Sequence, residues 1–525
     1  MSEPGTRLPE SRTRWDLWYA TLAGIAGVAG SYAVAGASRQ FVIAPIDALV
    51  VDLTPGGIVA FMIQNVGEEA HLLHVGISIA VATALLAAAS TAGLLTGRRV
   101  GRSPVGVGVA GLLAWVLTTV LTGSPLLALG AAVPVATFTA VGVGAGVGLG
   151  TAGARSVDTG AGSDDRGTKT DSESPGPARD PTRRRILVAA AGALAFVGAA
   201  VGLGQIGGRS SDAPADGDPV DEAVATLLDD AEGLELDVAG DVPGLVSPAT
   251  EFFNTDIAQF DPDLPADGWE FTITGEVDTE RTVTFAELTD MPTEHTHNTL
   301  RCVGESLNGH KLDNAVWTGT PLKPLLDEVD PEGTCGCAML HAEDGYFVQF
   351  PVAALEEGYL VWKMNGRPLP KSHGHPVRVL VPGHWGETNA KWLSEIELLE
   401  EEADGYWEQR GWHGTGPVET VAKLWSDTVL EDGRIEVAGH AYAGIRGVDR
   451  VEVSTDGGET WTDAELSDPL PGTDVWRQWR YVFDPDGRHE VVVRAIDGEG
   501  TLQPETEADA FPSGATGWVR KTVSA

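Results

Sequence analysis

Hydrophobic positions follow two regimes along this chain. Up to about residue 206 they form long unbroken runs; beyond it they alternate with polar residues over short stretches. The runs near 17–37, 70–96, 104–122, 125–149 and 186–206 are each long enough to cross ~30 Å of hydrocarbon as a helix. They predict five transmembrane helices. A further apolar stretch, 41–66, is interrupted by Asp47, Asp52 and the turn residues 54–57, Thr-Pro-Gly-Gly. Three arginine clusters decide how it is counted: Arg7, Arg12 and Arg14; Arg98, Arg99 and Arg102; Arg179 with Arg183, Arg184 and Arg185. Arginine stays on the cytoplasmic side of a membrane. All three clusters share that side only if 41–66 does not cross. The expected topology has an inside N-terminus and an interfacial or re-entrant 41–66. It leaves residues 207–525 on the extracytoplasmic side.

The same pattern divides the chain. Residues 1–150 read as a membrane domain of about four spans, and 151–184 as a polar linker rich in Gly, Ser and Pro. Residues 185–206 read as a transmembrane anchor, and 207–245 as an acidic spacer, partly helical at "DEAVATLLDDAE". The segment "TRRRILVAAAGALAFVG" (182–198) resembles a twin-arginine export signal through Thr182, Arg183, Arg184, Ile186 and Leu187. A plain stop-transfer anchor explains the same arginines. His71 and His74 lie three apart on one predicted helix. They share a face and cannot clasp a haem between two helices.

Beyond 245 the alternation is that of strands and short helices. "WEFTITGEV" (269–277) alternates with a period of two. "FAELTDM" and "PLKPLLDEV" read as short helices, and "HPVRVLVP" (375–382) as a buried strand ending in a Pro-Gly turn. Residues 246–415 therefore read as an α+β domain. In 416–525, short strands recur between Asp-Gly and Gly-Gly turns, as in "VDRVEVSTDGGETW". That spacing predicts an immunoglobulin-like β-sandwich.

Charge sharpens this division. The chain carries 75 acidic and 35 basic residues, a net charge of −40. Residues 1–150 hold seven of each sign, so the excess lies in the C-terminal part. Phosphate backbones would be repelled, which argues against nucleic acid as a partner. Acids spread through whole domains resemble the proteins of extreme halophiles, where salt screens their repulsion. An acidic face for a partner protein is the alternative.

Only three cysteines occur, too few for a disulfide framework. Cys335 and Cys337 in "TCGCAML" read as one buried strand, with a local bridge as the alternative. Cys302 stands apart in "HTHNTLRCVGESLNG". From its residues alone it reads three ways. It is an inert buried thiol, or a nucleophile with His295, His297 or His310 as base, or a thiolate on a soft metal held mainly by a cofactor. Zinc would need neighbouring ligands that the stretch lacks. Downstream, "KMNGRPLPKSHGHPVRVLVPGHWGETNAKWLSEIEL" gathers His373, His375, Arg378, Asn389 and Lys391 around one strand and loop. Such donors suit a phosphate and a polar heterocycle.

These pieces carry a resemblance. "TEFFNTD", "TLRCVGE", "NAVWTGTPLKPLL", "EDGYFVQFP", "MNGRPLPKSHGHPVRVLVPG", "AKWLSEIEL" and "GYWEQRGW" occur in the order seen in the sulfite oxidase family of molybdenum enzymes. "VAGHAYAGIRGVDRVEVSTDGGETW" and "FPSGATGW" resemble that family's immunoglobulin-like dimerisation domain. About half the chain is covered. The resemblance implies molybdenum held by one pyranopterin dithiolene (molybdopterin), with Cys302 as the protein's thiolate ligand. It implies cofactor contacts from Phe252, Phe253, Asn254, Asp344, His373, Arg378, Asn389 and Lys391. It places Trp412 where the family has an active-site tyrosine. The implied activity is oxygen-atom transfer to or from an oxo-anion or sulfoxide-type substrate. A homodimer and a separate electron-transfer partner are implied with it. Sulfite enzymes of the family place arginines after the metal cysteine. Here Glu305 follows in "VGESLNG", which predicts a pocket short of positive charge, with Arg301 or Arg410 to compensate. A non-catalytic exported binding or scaffold protein that keeps the fold is the alternative.

Overall fold

The structure is a computed structural model and describes residues 10–55, 58, 61–62, 70–152, 196–200, 220–258, 260–329 and 335–524. Most of the predicted linker, of the twin-arginine-like segment and of the 185–206 anchor lies outside these residues. The chain divides into two compact units, residues 1–53 with 69–210 and residues 54–68 with 211–525.

The first unit is helical: α1 (Glu10–Ala35), α2 (Ala44–Asp52), α3 (Ala70–Val100), α4 (Ser103–Thr122) and α5 (Leu129–Ala152). Three of its stretches, Asp16–Ala35, Leu73–Val100 and Ser103–Thr122, are long and apolar enough to cross a membrane; Leu129–Val143 is a shorter apolar helix. Pro104 opens α4, and Gly123, at φ 68°, closes it. Each residue supplies backbone geometry that others resist there. Small residues let the helices approach closely. A Cβ on Gly30 would collide with the carbonyl oxygen of Gly130.

Within 41–66, α2 stops after nine residues, far short of the ~20 that a span needs. Its Asp47 is buried and accepts from Ser78 Oγ at 2.7 Å, with His74 Nδ1 at 2.9 Å. A carboxylate in apolar surroundings is costly unless paired, so this contact fastens α2 to α3. Among the described side chains, His74 is thus engaged by a carboxylate.

The second unit holds two sheets of an α+β domain and two of a sandwich. In the first sheet Glu270–Gly275 runs parallel to Leu393–Leu399 and antiparallel to Arg281–Thr284. Leu393–Leu399 continues to Cys337–Ala342 and Phe347–Pro351. Phe271, Ile273, Leu340 and Ile396 fill the core on its inner face. Cys337 opens its strand, and Cys335 just before it is joined to it by a disulfide.

The second sheet carries the cysteine of interest. Glu294–Arg301 pairs with Leu312–Pro321, which pairs with Tyr359–Met364, and Arg378–Leu380 adds to the last. In the C-terminal region, Ile435–Tyr442 is flanked by Ser426–Val429 and Arg477–Phe483. Val448–Ser454, Arg488–Asp497 and Val519–Ser524 form the facing sheet. Val437, Val451, Trp479 and Val493 pack between the two, as a sandwich requires.

The expectation of an acidic spacer over 207–245 is corrected for its described part. Helix α6 (Glu222–Gly233) buries Val224 and Ala231. Leu245 is fully buried, and its carbonyl accepts from Trp476 Nε1 at 2.8 Å and Asn314 Nδ2 at 2.9 Å. Gln478 donates to Pro243 O and accepts from Leu236 N. The acidic composition hid a strap, because its anchoring runs through backbone groups that no side-chain pattern reports.

Asp474 ties the sandwich to the second sheet. Its carboxylate accepts from Tyr442 Oη at 2.6 Å and Gly383 N at 2.9 Å, and its carbonyl accepts from Thr299 N. Burial pushes this carboxyl up to about 7. A folded-state value above the unfolded one makes the neutral form the stabilising one. Its contribution is full below the ordinary carboxylate range and is lost as pH rises through about 7. Asp474→Asn should remove that loss. Urea unfolding of both proteins at pH 4.5 and pH 8 should show the variant gaining on the parent by a few kcal/mol, at about 1.4 kcal/mol per pH unit spanned. An unchanged difference between the two pH values would refute it.

Candidate functional site

The hairpin register decides where Cys302 lies. Arg301 pairs with Leu312, so residues 302–311 form the connecting loop. Cys302 N donates to Lys311 O at 3.0 Å, and Glu305 N donates to Cys302 O at 3.3 Å. These bonds pin the cysteine at the strand end. Its side chain borders a cleft with about 1010 Å³ of empty space, open mouth included. That is the scale of a cofactor site.

Cys302 is the one free thiol, since Cys335 and Cys337 are paired. Thr255 Oγ1 lies 3.9 Å from its Sγ. Burial pushes the thiol up, and the nearby Lys311 ammonium pulls it partly back. A free thiol held in this way is inert by itself. A bound cation would take the proton's place, because coordination deprotonates a thiol outright.

The cleft walls gather most of the residues expected from sequence: Phe252, Phe253, Asp344, Arg378, Asn389, Lys391 and Trp412. Arg378 is buried beneath the cleft. Its guanidinium donates to His373 O at 3.3 Å and Asn389 O at 3.0 Å, and its Nε has no partner. Burial lowers it to about 9. Lys391 donates to Asp256 Oδ2 at 2.9 Å and to Asn254 Oδ1. Burial lowers it too, while Asp256 raises it. Trp412 Nε1 is a second buried donor without a partner.

Three of the expected residues are placed differently. His373 is not in the cleft wall. It sits edge-on behind Phe252, ring centroids 5.6 Å apart, with Nε2 at 3.1 Å from Ala249 O. Burial, helped by Lys391 and Arg378, holds it down to about 3, so it is neutral. Asn254 borders the cleft only through Lys391. The Asn389 side chain is spent on backbone, accepting from Val381 N at 2.7 Å and donating to Trp385 O.

The charge expectation is corrected outright. Glu305 points away from the cleft into the protein, 3% exposed, and pairs with Arg301 Nε at 2.9 Å and Lys423 Nζ at 2.6 Å. Arg301 is fully buried over the Trp385 ring. Arg410 lies over the Tyr406 ring. Lys311, Arg378 and Lys391 line the cleft instead, together with Asp256, Asp344 and Glu387, and Lys391 is paired with Asp256.

Sequence reasoning missed Lys311, Tyr346, Glu387 and Trp407, which also line it. The Tyr346 hydroxyl donates to Glu387 O at 2.8 Å. Burial pushes the Glu387 carboxyl well above the carboxylate range, and the charge of Glu408 and a side-chain hydrogen bond to it push the same way. Tyr346, Trp407 and Glu387 each lay in a stretch already singled out, "EDGYFVQFP", "GYWEQRGW" and "GHWGETNAKW"; Lys311 carried no signal. The residues fit a molybdopterin. A soft thiolate suits the metal. Lys311, Lys391 and the orphaned donors of Arg378 and Trp412 suit an anionic, polar heterocycle.

The comparisons with known proteins agree. Residues 257–407 match the family described as oxidoreductase molybdopterin binding domain, and 418–513 match the Mo-co oxidoreductase dimerisation domain. Human mitochondrial sulfite oxidase is 35% identical over 180 residues, which cover 29% of this chain and 33% of that protein. Arabidopsis thaliana sulfite oxidase is 24% identical over 302 residues, covering 45% of this chain and 77% of that one. The chain thus spans about a third of the length of the mammalian relatives it matches. The solved structure of the sulfane dehydrogenase SoxCD from Paracoccus pantotrophus overlaps 60% of this chain and 93% of its own, with a TM-score of 0.45 and 19% identity. The uncharacterized oxidoreductase YuiH of Bacillus subtilis (strain 168) is 30% identical over 150 residues, 28% of this chain and 74% of its own length. With both domains matched in order around the Cys302 cleft, the chain belongs to the sulfite oxidase family of molybdopterin-binding oxidoreductases.

Proposed function

We propose that this protein is a membrane-anchored, extracytoplasmic molybdenum oxidoreductase that transfers an oxygen atom to or from a small oxo-anion or sulfoxide. The observation that carries this is the single free thiol of Cys302 beside a cleft that offers three cationic side chains and two unsatisfied buried donors. When bound, the molybdopterin supplies the two-electron metal chemistry. Cys302 contributes the protein's thiolate to the metal. Arg378 and Lys391 hold the anionic part of the cofactor, and Phe252 and Phe253 wall the cleft against water.

Lys311 attracts an anionic substrate towards the thiol, and Trp412 Nε1 offers a hydrogen bond in place of the family's tyrosine. Glu387, held above the carboxylate range by burial beside Glu408, forms part of the cleft wall. The domain matched at 418–513 supports a homodimer. The arginine clusters flanking the apolar helices support the outward orientation. Electrons pass to a separate partner.

Molybdenum and pterin are to be measured in protein matured with its cofactor, together with turnover of sulfite and of sulfoxides. About one molybdenum per chain and turnover of one substrate class are expected. Matured protein without molybdenum would sink the reading.

A further inference from the structure

The loop that carries Cys302 is held from behind by the C-terminal domain. Asn308 Nδ2 donates to Leu424 O at 2.8 Å, and Leu424 N returns a bond to Asn308 Oδ1 at 2.8 Å. Trp425 Nε1 donates to Gly309 O at 3.1 Å, and Lys423 Nζ donates to Leu307 O at 2.8 Å. At the centre of this contact is a buried ionic triad. Glu305 Oε1 takes both Arg301 Nε at 2.9 Å and Lys423 Nζ at 2.6 Å, and all three side chains are at most 1% exposed. Arg301 spends its remaining donors on Glu419 O and Ala515 O, both beyond the molybdopterin domain.

Burying three charges is expensive, and apolar residues of similar volume would stabilise such a site as well or better. The triad also does not balance: two cations face one anion. The surplus positive charge sits immediately behind the cysteine, with Arg301 next to it in sequence and Glu305 N bonded to its carbonyl. Water is excluded there, so the charge is weakly screened.

We infer that Lys423, from the domain matched as a dimerisation module, is a positioning residue of the metal centre: with Arg301 and Glu305 it holds the Cys302 loop and sets the reduction potential of the metal bound there. This rests on the proposal that Cys302 ligates molybdenum. A positive charge near a redox centre favours its reduced, more electron-rich form and so raises the potential.

Two variants separate the charge from the clasp. Lys423→Met makes the triad neutral and should lower the molybdenum potential. Glu305→Gln leaves two uncompensated cations and should raise it. Each should move the equilibrium constant of the couple at least tenfold, about 30 mV for two electrons. The double variant restores the original net charge and should return the potential towards the parent value. Redox titration of matured full-length protein at pH 7, followed by electron paramagnetic resonance, reads all four proteins. Mere loosening of the loop would shift both single variants the same way, and the double variant further. Shifts of one sign, no shift in variants that keep molybdenum, or loss of molybdenum from all the variants would overturn the inference. Absence of molybdenum from the unaltered protein would overturn it together with the proposed function, whereas a loaded parent with unmoved variants leaves that function standing.

Discussion

Cys302→Ser is expected to abolish turnover while leaving the fold intact. The thiol is the one free sulfur among three cysteines, and the other two are paired in the first sheet. A serine oxygen is a harder donor and does not ionise at neutral pH, so it cannot replace a thiolate on a soft metal. The loss should be on the order of a thousandfold or more, about 4 kcal/mol of barrier. The substitution is nearly isosteric, so stability should change by only about 1 kcal/mol. Pterin should remain partly bound, because Arg378 and Lys391 are untouched. Turnover, molybdenum per chain, pterin released on denaturation and thermal midpoint together check this. A variant with parental turnover would remove Cys302 from the metal.

Arg378→Leu should act in the opposite sense on stability and on loading. In the fold this guanidinium is 3% exposed, lies over the Trp317 ring and has no carboxylate partner among the described residues. Its bonds go to two carbonyls, and its Nε has none. A buried cation without an anion is costly, and the drop to about 9 through burial expresses that cost. The arrangement makes sense if an anionic group of the cofactor completes it. Removing the charge should leave cofactor-free protein as stable or more so. It should weaken cofactor retention roughly 10–100-fold, the ~1.5–3 kcal/mol of a charge-assisted hydrogen bond. Thermal melts of cofactor-free protein and pterin content of matured protein read the two effects separately. A destabilised cofactor-free variant that still loads fully would contradict the argument.

Much of the site is legible in the sequence alone, and the reason is local. The Cys302 stretch, the "HGHPVR" segment and "NAKW" each lie within a few consecutive residues, so their chemistry survives in one dimension. The cleft accordingly contains Cys302, Arg378, Lys391 and Trp412. The helices α1, α3 and α4 are equally legible, since a membrane-length apolar run needs no tertiary partner to be recognised.

Single charges are where sequence reasoning fails. Glu305 reads as a pocket carboxylate, yet Lys423, 118 residues away in sequence, draws it inward. Lys311 lies outside every motif singled out in the sequence, yet the hairpin register brings its backbone to Cys302 and its side chain to the cleft. His373 groups with Arg378 by adjacency, but a short 3-10 turn at Lys371–His373 tucks it behind Phe252.

By itself, then, the sequence determined the apolar helices, the order of the two C-terminal domains and the family, and it singled out Cys302. All of these are written in periodicity or in contiguous motifs. Only the tertiary structure decided which charges face the cleft and which are neutralised behind it. It also turned an acidic stretch into a strap and joined the C-terminal domain to the loop of Cys302. The physical reason is that a side chain's burial and ionic partner depend on residues far along the chain, and these meet only when the sheets close.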